Sequence, residues 1–298
     1  MFETFDEFSV PLGDVGIAGR ISRDTGESRP PLLLLHGHPE SHLMWHRIAD
    51  RLAEHYTVII PDLRGYGSSG IPAADPDHHA YSKRTMARDQ VLLMQHFGAQ
   101  RGFEKFAVCA HDRGARVAHR LIADHPSLVS AAMLLDIAPT LDMYASTNRA
   151  FAEGYFHWFF LIQPHPLPES LIEANPRAYV ENLMGSRYAG LAPFPPEILD
   201  RYVAALSRPG AVHAMCEDYR ASATVDLDHD REDRDLGLLA ETPLRILWGR
   251  HGVVGRQFDP LALWGAVAKN VSGQALDAGH YLPEEVPDDV FDEILNFL

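Results

Sequence analysis

The run Phe106-Ala-Val-Cys-Ala110 leads directly into His111-Asp112-Arg113-Gly114 and then a helical pattern. Ala110-x-Asp112-x-Gly114 is small–x–acid–x–small, the pattern of a strand–turn–helix elbow. Small flanking residues let the turn close and lift the central side chain above the sheet. With a carboxylate instead of a hydroxyl at the apex, the suited chemistry is backside displacement at a saturated carbon. The product is an alkyl ester, which water must then cleave at the Asp carbonyl carbon. A helix N-terminus also favours the ionised carboxylate. Asp112 would serve equally well as a plain N-cap, so its role as nucleophile depends on partners elsewhere in the chain.

Two further segments supply context. Leu32–Leu35 leads into His36-Gly37-His38-Pro39, and Val58-Ile-Ile-Pro61 into Asp62-Leu-Arg-Gly-Tyr-Gly-Ser-Ser69. Together with the elbow, these resemble the α/β-hydrolase superfamily over nearly the whole chain. The resemblance implies an oxyanion hole built from the backbone amides of His38 and of Arg113, the residue after the nucleophile. It also implies a histidine after the final strand. Asp277-Ala-Gly-His280-Tyr-Leu-Pro283 fits, making His280 the general base, although with 17 histidines only its position singles it out. The orienting carboxylate could follow either of two strands. From Gly249 to Arg256 there is no carboxylate, and Asp259-Pro260 reads as an N-cap with Pro at the first helical position. Asp136 stands directly after Ala131–Leu135 and takes the role; a turn cap is its plainer alternative.

Arg113 and Arg116 are three residues apart and share a helix face. Two cations in a first turn oppose the helix dipole, and that conflict points to function. Guanidinium forks bind carboxylates bidentately, so the pair is an anion clamp for a substrate carboxylate, with a surface ion-pair role as the alternative. Further on, His157, Trp158 and Tyr219 carry imidazole N–H, indole N–H and phenol O–H groups, neutral donors for a leaving anion. An aromatic stripe at this spacing is otherwise ordinary core.

The elements that must position these residues are short β-rich runs alternating with helices, which predicts an α/β fold with a mostly parallel central sheet flanked by helices. The predicted strands are Leu32–Leu35, Thr57–Pro61, Phe106–Ala110, Ala131–Leu135, Leu244–Trp248 and a short one before Ala278. Helices are expected over Met86–Phe97, closed by Gly98, over Arg113–His125, and over Asp288–Leu298. From about Pro139 to Tyr219 the strand signal vanishes. Helical patterns at Phe151–Ile162, Glu169–Met184 and Pro196–Leu206 are separated by Pro-rich turns, which reads as a helical cap. The expected organisation is core 1–138, cap 139–222 and core 223–298, with Asp226–Asp235 a solvated acidic loop.

His111-Asp112-Arg113-Gly114-Ala115-Arg116, taken with Asp136, His157-Trp158, Tyr219 and His280, resembles the fluoroacetate (haloacetate) dehalogenases. The resemblance implies Asp112 as nucleophile, Arg113 and Arg116 on the carboxylate, His157, Trp158 and Tyr219 on the halide, and Asp136 supporting His280. It also implies a homodimer. Two positions depart from it: His38 stands where an aromatic or apolar residue is expected, and Asn182–Ser186 lacks the further cap Trp. The expected reaction is hydrolysis of a short 2-haloacid. Epoxide hydrolysis shares the elbow logic, and a receptor on the same fold would retain the shape alone.

Composition narrows the field. There are 26 Lys+Arg against 41 Asp+Glu, a net charge of −15. With no basic stretch, nucleic acid and membrane surfaces are unsuited partners. The N-terminus lacks a signal-peptide pattern and the two cysteines make no disulfide framework, so a cytoplasmic protein is expected. No metal-ligand spacing or dinucleotide loop is visible, and no cofactor is expected.

Overall fold

Runs of Val, Ile and Leu buried on both faces are what a parallel sheet between helical layers requires. The computed structural model describes residues 1–298. Its strands are β1 (Phe5–Leu12), β2 (Val15–Ser22), β3 (Pro31–Leu35), β4 (Thr57–Pro61), β5 (Phe106–His111), β6 (Val129–Leu135), β7 (Leu244–Gly249) and β8 (Val271–Leu276). They form one sheet in the order β1-β2-β4-β3-β5-β6-β7-β8. β1 and β2 are antiparallel to each other, and β2 is antiparallel to β4; all other pairs are parallel. Alternate residues enter two cores. Leu32, Leu34, Val58, Ile60, Cys109 and Met133 pack on one face, and Leu33, Leu35, Ile59, Val108, Ala110 and Leu134 on the other. Each fully buried leucine contributes about 2 kcal/mol.

The six expected parallel strands are present, several a residue or two longer. The N-terminal hairpin was not expected. Its signal is alternation along β2, where Val15, Ile17 and Ile21 are buried, after a two-residue Gly13-Asp14 turn opened by Gly13 at φ +67°.

Between β6 and β7 the chain is entirely helical, with eight helices from Thr140 to Asp235. Phe151–Ile162 is two helices, Arg149–Gly154 and Phe156–Leu161. Glu169–Met184 is also two, Leu167–Glu173 and Pro176–Gly185, because Pro176 cannot continue a helix and Asn175 caps the second one by accepting from the Ala178 amide. Asp226–Asp235 is not a solvated loop but lies in the helix Val225–Asp235. Val225 and Leu227 are buried, and Asp230 and Asp233 reach Arg120. The helix expected to close at Gly98 runs Lys83–Arg101 and ends on Gly102 at φ +77°. Gly98 lies inside it, where a Cβ would meet the Phe103 carbonyl at 2.3 Å. No helix is long and apolar enough to cross a membrane.

Candidate active site

β5 passes without a loop into the helix Asp112–Asp124, and Asp112 adopts φ +45° at the junction. A left-handed non-glycine residue costs about 1 kcal/mol, so surrounding packing must hold it there. The loop after β3 does so: a Cβ on Gly37 would lie 2.6 Å from Asp112 Cβ, and one on Gly114 would lie 2.4 Å from the His36 carbonyl oxygen. Only glycine fits at both positions. Asp136, at the end of β6, is also left-handed, at φ +51°.

This backbone brings the expected triad together. Asp112 Oδ1 accepts from the His38 amide at 3.1 Å, and Asp112 Oδ2 lies 3.7 Å from His280 Nε2. On the other side of the ring, His280 Nδ1 is 2.5 Å from Asp136 Oδ2, while Asp136 Oδ1 accepts from the Gly249 amide at 3.0 Å. Asp136 thereby fixes the Nδ1–H tautomer and leaves the Nε2 lone pair facing Asp112. At the end of β7, position 249 admits no side chain, since a Cβ on Gly249 would overlap the Gly279 carbonyl. Of the two expected oxyanion amides, that of His38 bonds Asp112, and that of Arg113 makes no such bond.

Charges around the elbow set its ionisation. Burial would raise the Asp112 carboxyl, but the fields of His280, His111, Arg113 and Arg116 outweigh it and hold the group well below the usual carboxylate range. Burial lowers His280, with the Asp136 hydrogen bond opposing, so the imidazole rests neutral and ready to accept a proton.

The two arginines are not equivalent. Arg113 donates from Nε to Asp218 Oδ2 and from Nη2 to Asp218 Oδ1, each at 2.9 Å, and only Nη1 lacks a partner. Arg116 has no carboxylate partner. Nη1 donates to Thr140 Oγ1 at 2.8 Å and to the Ala138 carbonyl at 3.2 Å, and Nε is unpaired. Each guanidinium also lies over a ring of the expected halide trio, Arg113 4.1 Å from the Tyr219 centroid and Arg116 4.6 Å from that of Trp158. His157 Nδ1, Trp158 Nε1 and Tyr219 Oη are all buried without a protein partner. Orphaned buried polar atoms are costly, and two of these three stand on rings only 5.8 Å apart, those of His157 and Tyr219.

Sequence reasoning missed the residues behind this layer. Asp218, on the helix Ala211–Ala223, receives Tyr66 Oη at 2.7 Å and Lys83 Nζ as well as Arg113. His111 Nε2 lies 2.8 Å from the His280 carbonyl and its Nδ1 lies 3.1 Å from Glu40 Oε2. Tyr155 stacks on Trp158 at 5.6 Å, and the Arg187 guanidinium lies 5.0 Å from its ring. A hint was present in Asp218 preceding Tyr219, since a buried arginine needs a counter-charge. The molecule's roomier cavities, about 250 to 600 Å³, are lined by other residues. Asp112, Asp136, His280, Trp158 and Tyr219 are all buried, so the candidate site is enclosed by protein rather than set in an open cleft.

Comparison with known proteins places the chain among the α/β hydrolases. The α/β hydrolase fold model matches residues 30–173. Fluoroacetate dehalogenase from Burkholderia sp. is 40% identical, covering 100% of this chain and 95% of its own length. A soluble epoxide hydrolase from Corynebacterium sp. (strain C12) is 33% identical over 92% of this chain and 91% of its own. A solved α/β-hydrolase structure from Nostoc sp. PCC 7120 superposes with a TM-score of 0.94 at 47% identity, covering 100% of this chain and 99% of that one. A variant of a Pseudomonas aeruginosa protein described as an epoxide hydrolase, solved with bound MFA, gives 0.89 at 43% identity, covering 99% and 96%.

Proposed function

The chain belongs to the α/β-hydrolase superfamily, as a relative of the fluoroacetate dehalogenases, and from that premise we propose that it hydrolyses short 2-haloacids to the 2-hydroxyacid and halide. The observation that carries this reading is an Arg116 guanidinium with no carboxylate hydrogen-bonded to it and a free Nε, whose field helps keep Asp112 ionised. A substrate carboxylate on Arg116 and on the free Nη1 of Arg113 sets the α-carbon before Asp112 Oδ2. That oxygen attacks, the carbon–halogen bond breaks, and the halide leaves with the bonding pair. His157, Trp158 and Tyr219 receive it as neutral donors. His280 Nε2 then takes a proton from water, which adds to the Asp112 carbonyl carbon. The charge that develops on Oδ1 falls on the His38 amide. Cleavage of the Cγ–Oδ2 bond, with the His280 proton passing to the departing oxygen, frees the 2-hydroxyacid, and loss of the remaining water proton to solvent restores the Asp112 carboxylate with one oxygen drawn from water.

The burial of Asp112, His280, His157, Trp158 and Tyr219 favours a small acid of two or three carbons, with fluoroacetate and chloroacetate as first candidates. Epoxide hydrolysis is the second reading, favoured by the Corynebacterium relative and by the unpaired Tyr219 hydroxyl; it leaves Arg116 without a task. Ion-selective measurement of halide release from fluoroacetate and chloroacetate, without added metal or cofactor and with styrene oxide as control, tests the proposal. Halide from either acid supports it, and diol from styrene oxide with no halide overturns it.

A further inference from the structure

We infer that His38 is an additional N–H donor to the departing halide, with its tautomer set by Tyr179; the inference rests on the dehalogenation reading above. The backbone and side chain of this residue do separate work. Its amide is committed to Asp112 Oδ1. Its ring is 3% exposed, with Nε2 3.0 Å from Tyr179 Oη and Nδ1 buried without a partner.

Two proton arrangements satisfy the 3.0 Å contact. If Nε2 carried the proton, it would donate to the Tyr179 oxygen. The phenol proton and the Nδ1 lone pair would then both be left without a protein partner in a buried site. If Tyr179 donates to Nε2, the phenol proton is satisfied and Nδ1–H alone awaits an acceptor. The second arrangement strands fewer groups. A phenol thus does for His38 what Asp136 does for His280: it decides which ring nitrogen carries hydrogen.

The ring stands among the halide donors, edge-on to Tyr219 at 5.5 Å and tilted 23° from the His157 plane at 6.3 Å. Burial, with help from Arg113 and Arg187 and against the field of Asp112, brings its pKa down to about 3, so the ring is neutral at working pH. Burial likewise pushes the Tyr179 phenol up, and it keeps its donor proton. In the displacement the carbon–halogen pair goes to the halide and the Nδ1 proton stays on nitrogen, so His38 lends a hydrogen bond and exchanges nothing. Fluoride, with the most concentrated charge, gains most. An apolar residue at position 38 would forgo this donor.

The test compares wild type, His38→Phe and Tyr179→Phe in two measurements. The first is kcat for fluoro-, chloro- and bromoacetate. The second is chloride binding to the resting protein, followed by quenching of tryptophan fluorescence, with Trp158 in the chamber. In His38→Phe we expect kcat for fluoroacetate to fall roughly 10- to 100-fold and for bromoacetate less than about threefold. Chloride binding should weaken several-fold. Tyr179→Phe, which conserves volume, should move both readouts the same way by less. Equal losses across the three halides, or unchanged chloride affinity in both variants, overturn the inference. If wild type releases no halide but binds chloride in a His38-dependent way, the proposed reaction fails while the donor role stands. Halide release indifferent to both substitutions overturns the donor role alone.

Discussion

Substitution of Arg116 by methionine separates substrate binding from structural support. The side chain is almost fully buried, and its guanidinium hydrogen-bonds the Ala138 carbonyl, the Thr140 hydroxyl and Met143 Sδ and lies over the Trp158 ring, all neutral. Burial and the nearby Arg113 both press its pKa down. Asp112 favours the charge only through space and no carboxylate is hydrogen-bonded to it, whereas Arg113 has Asp218. The substrate carboxylate is therefore the counter-ion that Arg116 lacks. Truncating one partner of a buried, hydrogen-bonded charge pair costs about 2–5 kcal/mol. At 1.4 kcal/mol per decade, kcat/KM for chloroacetate should fall roughly 30- to 3000-fold. For chloroacetamide, which offers no carboxylate, the change should stay within about threefold. Stability should move the other way. Removing a buried cation that bonds no carboxylate relieves more desolvation cost than it loses in the through-space attraction to Asp112, so Tm should hold steady or rise by a few degrees. Steady-state kinetics on the two substrates and a melting curve are enough. Equal losses on both substrates, or a falling Tm with both activities lost, would refute the clamp.

Further outcomes follow from the same geometry. Asp112→Asn should reduce halide release to background, measured on freshly prepared protein so that deamidation does not restore the acid. His280→Asn should still undergo alkylation and then stall, carrying about 58 Da of ester on Asp112 in intact-mass spectra; an unmodified mass after incubation with chloroacetate would remove His280 from the base role. Because burial lowers His280 while Asp112 stays ionised, kcat should fall with decreasing pH along a one-proton limb centred below 6.5; a limb above 6.5 would contradict that assignment. Glu40 and Glu284 share one buried site, and desolvation pushes both carboxyls up. A group raised in the folded state contributes stability at low pH that is lost as pH climbs through its folded value. Glu40→Gln should therefore gain Tm relative to wild type between pH 5 and pH 8, and a constant difference would argue otherwise.

Much of the core was legible because parallel strands buried on both faces must be continuous apolar runs, and Leu32–Leu35 or Leu244–Trp248 read as little else. The elbow was legible because its constraint is local: only small residues let Asp112 stand at φ +45°. The hairpin of β1 and β2 escaped because its outward positions, Asp6 and Glu7 among them, are polar and break any apolar run. Helix limits inside the insertion depend on Tyr155 and Pro176, where capping overrides periodicity. The acids of Val225–Asp235 looked solvated because their partners, Arg120 for Asp230 and Asp233 and Lys83 for Asp226, lie far away in sequence. For the same reason the chain announced two arginines but not that Asp218 neutralises one of them. That asymmetry exists only once an insertion helix is laid over the elbow.

Asp218 also constrains how the chamber can open. It belongs to the helical insertion, while Arg113, Lys83 and Tyr66, which hold it, belong to the core. Swinging the insertion away as a lid would strip a buried carboxylate of these donors, at roughly 3–5 kcal/mol. The hinged-open form would then be less than about 1% of molecules. Traffic to Asp112 should run through rotations of side chains at the chamber wall, on nanosecond to microsecond scales. In a hydrogen-exchange experiment, the amides of Ala211–Ala223 should open only with global unfolding; exchange faster than in β5 would show a hinge after all.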